Sequence, residues 1–318
     1  MKIVYLPGGE RIVTSSSDKT VRIWDVENGE QEGTTMEHEG WISGLAVTRD
    51  GKRILSGGYD KRISVWDVET HELIEEWEDE TGGIMCIAVS PDDQLAASGG
   101  ERGEIVMREI QESGRIRYSI KAGGHEGGIW GIAYLPSSER VVTCSDDGTV
   151  MIWDVVSGEQ GTSMDHEDVI VFGLAVTKDG QRILSGDLDK RIKVWDVETH
   201  ELIEEAWGSH KSGIQSIVLL PDDQFAASGD CNCDGTIIIR ERLWNRSDPP
   251  DTRCRSCAAP AFQIPLPVVI HVLKVGRKTR LLSSHSCQDR LLACLCCALL
   301  QRLGEGGRRG QTFNRDWW

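Results

Sequence analysis

Over residues 1–242 the chain alternates apolar and polar positions in short bursts separated by turn residues. Segments such as 53–56 (Arg-Ile-Leu-Ser) and 62–66 (Arg-Ile-Ser-Val-Trp) read as half-buried strands. Asp-Lys and Asp-Gly pairs between them suit tight turns. The bursts recur in one frame. Trp24-Asp25, Trp66-Asp67, Trp153-Asp154 and Trp195-Asp196 each close an apolar alternation, at intervals of 42, 87 and 42 residues. The interval of 87 holds a degenerate unit at 105–110, where Arg108-Glu109 replaces Trp-Asp. A second lies at 237–241, with Arg240-Glu241. Six units therefore end at Arg242.

Other positions keep the same register. His38, His125, His166 and His210 stand near the start of four units. Thr14, Ser56, Ser98, Thr143, Ser185 and Ser228 precede the turns. Six residues before the Trp position stands a turn acid: Asp18, Asp60, Asp147, Asp189 or Asp234, with Arg102 in the third unit.

A period of about 40 to 45 residues closing on Trp-Asp resembles the WD-repeat (WD40) family over residues 1–242. The resemblance implies an all-β propeller of six four-stranded blades, the last incomplete. It also implies a buried hydrogen-bonded chain of His, Ser/Thr, Asp and Trp in each blade. The expected sets are His38, Ser56, Asp60 and Trp66; His125, Thr143, Asp147 and Trp153; and His166, Ser185, Asp189 and Trp195. In the sixth unit the set would be His210, Ser228 and Asp234, with Arg240 for Trp.

The units form two blocks, about 1–120 and 121–242. Residues 44–76 and 173–205 are identical at 28 of 33 positions, which points to an internal duplication. The five differences are Arg49/Lys178, Lys52/Gln181, Gly58/Asp187, Tyr59/Leu188 and Ser64/Lys193.

The family resemblance also implies a scaffold that binds a partner protein or peptide on the top face of the propeller. The resemblance implies three positions per blade there: Trp41, Ser43 and Tyr59; Gly83, Met85 and Glu101; Gly128, Trp130 and Asp146; Ile170, Phe172 and Leu188; and Gly213, Gln215 and Cys233. The candidate partner contacts among them are Trp41, Tyr59, Met85, Trp130, Phe172 and Leu188. Residues 1–242 carry 23 basic and 46 acidic groups against 12 and 5 beyond them. The acidic body suits partners with basic patches and argues against nucleic acid. No apolar run reaches the ~18 residues of a membrane span. The opening residues are too quickly polar for a signal peptide, so an intracellular location, cytoplasmic or nuclear, is expected.

Two rival readings stay open: an enzyme with a site in the central channel, and a truncated, non-functional repeat product. No nucleophile elbow, phosphate loop or HExxH motif is present, so no small-molecule substrate, metal or cofactor is expected. Cys254 and Cys257 form a CxxC, but Cys294, Cys296 and Cys297 lack the spacing of a second zinc pair. The repeat breaks at residue 243. Residues 243–318 are expected to be a disordered tail or a change of reading frame. Closure of the sixth blade then depends on 264–272, where Pro265 and Pro267 cannot donate to a ladder.

Overall fold

The computed structural model describes residues 2–78, 82–120, 124–205, 210–219, 223, 225–230, 237–241 and 268–270. Each repeat folds into one antiparallel four-stranded sheet, and six such blades form the propeller. Blade one is Lys2–Tyr5, Arg11–Ser15, Thr20–Asp25 and Gln31–Glu37. Blade two is Ile42–Val47, Arg53–Gly58, Arg62–Asp67 and Leu73–Glu78. Blade three is Ile84–Val89, Leu95–Gly100, Ile105–Glu109 and Arg115–Ile120. Blade four is Ile129–Tyr134, Arg140–Ser145, Thr149–Asp154 and Gln160–Asp165. Blade five is Val171–Val176, Arg182–Asp187, Ile192–Asp196 and Leu202–Glu205. Blade six is Ile214–Leu219, Phe225–Asp230, Ile237–Glu241 and Val268–Ile270.

The last of these strands corrects the expectation of an incomplete blade. Val268–Ile270 pairs antiparallel with Ile237–Ile239. It begins just after Pro267, so the missing proline N–H groups stay out of the ladder. The rest of the tail, with the cysteine clusters and the expected disorder or frame change, lies outside the described residues.

The second strands are not half-buried, as their sequence suggests, but buried on both faces. Ile54 and Leu55 are each 0% exposed. Ile54 packs into the core shared by blades one and two, and Leu55 into the core shared by blades two and three. Val141 and Val142, and Ile183 and Leu184, divide their faces in the same way. Successive side chains of a strand point to opposite faces. A sheet sandwiched between two neighbours therefore needs adjacent apolar residues, not alternation. Trp66, Trp153 and Trp195 each fill the seam with the preceding blade.

The first strands of all six blades line one central cavity of about 150 Å³, from Lys2 in blade one to Ser216 in blade six. Gly57, Gly99 and Gly186 abut isoleucines of the next blade, whereas a Cβ on Gly229 would meet nothing within 4 Å.

Candidate functional site

Two arrangements organise the face where the fourth strand of one blade leads into the first strand of the next. Beneath the surface run the hydrogen-bonded chains. In blade two, His38 Nδ1–H donates to Asp60 Oδ2 (2.8 Å). The Ser56 hydroxyl donates to His38 Nε2 (2.7 Å), and Trp66 Nε1–H donates to Ser56 Oγ (2.7 Å). Blade four repeats this with Asp147, His125, Thr143 and Trp153 at 2.9, 2.7 and 2.8 Å. Each chain satisfies the polar atoms of a buried His and Trp and fixes the imidazole tautomer. Burial raises the Asp147 carboxyl, but hydrogen bonds from His125 and Thr149 outweigh this and hold it far below the usual range. Asp60 is held low in the same way, by His38 against its own burial.

Blade five departs from the expected set. His166 Nδ1–H donates to Asp187 Oδ2 (3.0 Å), not to Asp189. The Ser185 hydroxyl donates to Nε2 (2.6 Å), and Trp195 to Ser185 (2.7 Å). Asp187 is 0% exposed, while the Asp189 side chain is 65% exposed and reaches only Arg191, at 4.0 Å. Blade six follows blade five. His210 faces Asp230 (3.4 Å) and Ser228 (2.7 Å), while Asp234 lies outside the described residues.

The physical reason lies in the loop before the first strand. In blades two and four the second residue after the His is Gly40 or Gly127, and a Cβ there would meet the backbone N of Asp60 at 2.6 Å or of Asp147 at 2.9 Å. That close approach brings the turn acid to the His. Blade five has Asp168 in that place, with φ +63°, and its loop to the first strand is one residue longer. The acid is then supplied two positions earlier. A readable signal was present: blades five and six both read Ser-Gly-Asp (185–187 and 228–230), where blade two reads Ser-Gly-Gly.

Blade three has no such chain among the described residues. Arg108 stands at the Trp position, buried, and donates to the carbonyls of Glu78 (2.9 Å) and Gly114 (3.4 Å). Glu104 of the same blade is buried, and neither carboxylate oxygen is hydrogen-bonded among the described residues.

Above these chains lies the candidate binding surface. The backbone N–H of Tyr59 donates to the Trp41 carbonyl (2.9 Å). Glu101 and Gly83, Asp146 and Gly128, and Leu188 and Ile170 pair identically in blades three to five. Each bond joins two of the expected top-face positions. Trp41 and Tyr59 are 59% and 47% exposed and meet edge to face, ring centroids 6.0 Å apart. Leu188 is exposed as well. Trp130 and Phe172 are half-buried and pack edge to face at 5.0 Å, at the mouth of the central cavity. Trp130 Nε1–H donates to Asp146 Oδ1 (2.5 Å). Glu101 lies beside Gly83, which also neighbours Tyr59. Met85 does not belong to this surface. It is only 5% exposed, in a first strand whose residues 84–87 are all buried.

The central cavity offers different chemistry. Its lining mixes apolar side chains with polar groups of Gln215, Ser216 and the backbone, and Lys2 and Cys86 are its ionisable groups. Burial pushes the Cys86 thiol up to about 12, which leaves it protonated and unreactive at neutral pH.

A family model for the WD domain, G-beta repeat, matches this chain six times, at residues 1–25, 29–67, 71–107, 116–154, 158–196 and 203–240. The chain belongs to the WD40 repeat family. This WD40 protein is 30% identical over 135 residues to the chicken (Gallus gallus) serine-threonine kinase receptor-associated protein, covering 42% of this chain and 36% of that protein. It is 30% identical over 154 residues to methylosome protein WDR77 of Xenopus laevis, covering 46% and 43%. It is 27% identical over 135 residues to a guanine nucleotide-binding protein subunit beta of Oryza sativa subsp. japonica, covering 40% and 35%. The matches span only about a third of the first curated relatives' length.

Proposed function

We propose that this WD40 protein is a non-catalytic interaction platform whose top face binds a partner protein presenting basic side chains. The observation that carries the reading is the exposed edge-to-face pair of Trp41 and Tyr59, held on the ends of rigid strands. Trp and Tyr supply large contact area at low entropic cost and dominate binding energy at interfaces. Glu101 and Asp146 stand beside the aromatic groups. An aromatic face next to a carboxylate suits Lys or Arg, through cation–π attraction and ion pairing. Two of the relatives are named for assemblies, a kinase receptor association and the methylosome, which supports a binding role.

The test is affinity purification of the full chain beside a Trp41→Ala/Tyr59→Ala variant. Both side chains project into solvent, so the variant is expected to melt within a few degrees of wild type. Captured partners should be lost from the variant or depleted at least tenfold. Equal capture by the two proteins means that the top-face assignment is wrong.

A further inference from the structure

The opposite face, where the first strand of each blade turns into the second, carries a tie across successive seams. In blades one, two, four and five the second strand begins with an arginine: Arg11, Arg53, Arg140 and Arg182. Arg11 reaches Glu69 of blade two (2.9 Å), and Arg140 reaches Glu198 of blade five (2.6 Å). Arg53 donates to the Ile110 carbonyl of blade three (3.3 Å). Arg182 instead pairs with Asp196 of its own blade. Two seams carry a tie of another kind. The carboxylate of Asp93 accepts the backbone N–H groups of Arg49 and Asp50 across the seam between blades two and three. Asp223 accepts that of Lys178 between blades five and six.

The seam between blades three and four, where the two blocks of the duplication meet, has neither device. Leu95 stands in the arginine's place, and Val156 in the place of Glu69 and Glu198. Ser138 replaces Gly51 and Gly180, the counterparts that close on Pro7 and Pro136 in neighbouring seams. A cleft of about 370 Å³ opens there. Leu95 is buried at its floor, while Val156 is 58% exposed at its rim. Asp92, Glu109 and Glu139 contribute carboxylates, and Arg117 is the one base among the lining residues. Glu109 is paired with Arg115, whereas Glu139 makes no ion pair among the described residues.

We propose that this cleft is a docking socket for an arginine side chain of a partner protein. The incoming residue takes the place that the chain fills with its own arginine at three other seams. Its methylene stem lies on Leu95 and Val156, and its guanidinium meets Glu139 and Asp92. The neighbouring seams supply the warrant, because they show the same strand geometry closing around a guanidinium. The acidic lining selects a cation, and the apolar stem contacts favour a long side chain. The socket is separate from the top face and does not rest on the reading above.

The test uses acetyl-arginine-amide, with acetyl-citrulline-amide as the neutral counterpart, titrated into the ¹⁵N-labelled full chain. The arginine probe should shift the amide signals of Leu95, Glu139 and Val156 saturably, with Kd on the order of millimolar, as a single-residue contact allows. The citrulline probe should bind at least tenfold more weakly. Leu95→Arg should fold, melt no lower than wild type and lose at least tenfold in affinity. Val156→Glu, which restores the acid of Glu69 and Glu198, should strengthen binding severalfold. Trp41→Ala/Tyr59→Ala should leave binding of this probe unchanged, which separates failure here from failure at the top face. Equal binding of the two probes, or unchanged affinity in either the Leu95→Arg or the Val156→Glu variant, would overturn the proposal. So would an Arg117→Ala variant that binds tenfold more tightly, since the chain's own arginine would then be the occupant.

Discussion

Blades two and five were compared on equal terms by the duplication itself, with 28 of 33 residues identical across 44–76 and 173–205. Both bury a His, a Ser and a Trp in one hydrogen-bonded chain, with Trp-to-Ser distances of 2.7 Å in each. They differ in the acid. Blade two uses Asp60 from the turn, and blade five uses Asp187 from the end of its second strand. A Cβ on Gly58, the counterpart of Asp187, would sit 1.8 Å from the Trp41 carbonyl oxygen. Blade two is therefore barred from the arrangement of blade five unless its loop moves. A shared chemical need has thus been met by two backbone solutions. Blade six also takes the earlier acid, yet its loop from His210 to the strand is no longer than that of blade two. What blades five and six share is the loss of the glycine two residues after the His, with Asp168 or Ser212 in its place.

The largest effect should come from the acids themselves. Asp187→Ala leaves a buried imidazole and the Arg191 backbone N–H without their acceptor. Its cost should be about 3 kcal/mol, because a buried carboxylate is lost and its hydrogen-bond donors are left unpaired. Asp189→Ala touches an exposed side chain and should cost less than about 0.5 kcal/mol. In blade two the counterparts reverse: Asp60→Ala is the costly change. Urea unfolding of the three variants measures this, and equal losses for Asp187 and Asp189 would sink the assignment.

Next comes the steric bar. Gly58→Asp should cost about 2 to 3 kcal/mol, because its side chain displaces the Trp41 backbone. Replacing residues 38–41 by the longer 166–170 segment in the same variant should recover most of that loss. The coupling of the two changes, read from a double-mutant cycle, tests whether the segment after the His is the cause. Independent, additive effects would show that it is not.

These details mark where the sequence stops being legible. Strand pattern and Trp-Asp spacing located all six blades, because a repeating core leaves a repeating imprint. The degenerate units with Arg108 and Arg240 are legible from the period and the apolar run without the Trp. The chains of blades two and four were also readable, since Asp60 and Asp147 stand at one fixed offset from the Trp. Asp189 keeps that offset, yet the offset measures only distance along the chain. Which carboxylate meets the His depends on how closely the preceding loop approaches, and that depends on Gly40 against Asp168. Met85 failed for a similar reason. Its register matches Trp130 and Phe172, but register fixes the face of a strand and not how deeply the end of the strand is covered.

A smaller difference between the blades should appear on acidification. Burial holds the His166 imidazole below its ordinary value, against the upward pull of Asp187. The unfolded chain then binds a proton first as pH falls below about 6.5. Stability from this group is present above that pH and is lost below it. Asp187 is also held low, by His166 and Arg191 against its own burial. Its contribution is present above about pH 4 and is lost as pH falls further. Both groups weaken blade five in acid, with His166 acting first. Urea midpoints at pH 7.5 and 5.5 should therefore fall less for His166→Gln than for wild type. Identical pH dependence in the two proteins would exclude a neutral buried His166 as the source.

The smallest contrast is Ser64 against Lys193, at the same place in the third strand. Lys193 is only 3% exposed, donates to the Asp165 carbonyl (3.1 Å) and stands 5.5 Å from the centroid of the Trp195 ring. Ser64 makes a single long bond to Glu76 (3.4 Å). The lysine thus ties the fourth strand of blade four to the third strand of blade five and sets its ammonium over the Trp195 ring. Lys193→Ser, which gives blade five the residue of blade two, should cost about 1 kcal/mol, from one hydrogen bond and a modest cation–π contact. Lys193→Met keeps the stem over Trp195 and loses the charge, so it should cost about half as much. If Met proves as costly as Ser, packing contributes nothing and the ammonium alone holds the two blades. If neither change is measurable, the two blades are equivalent at this position, and their difference is confined to the acid and its loop.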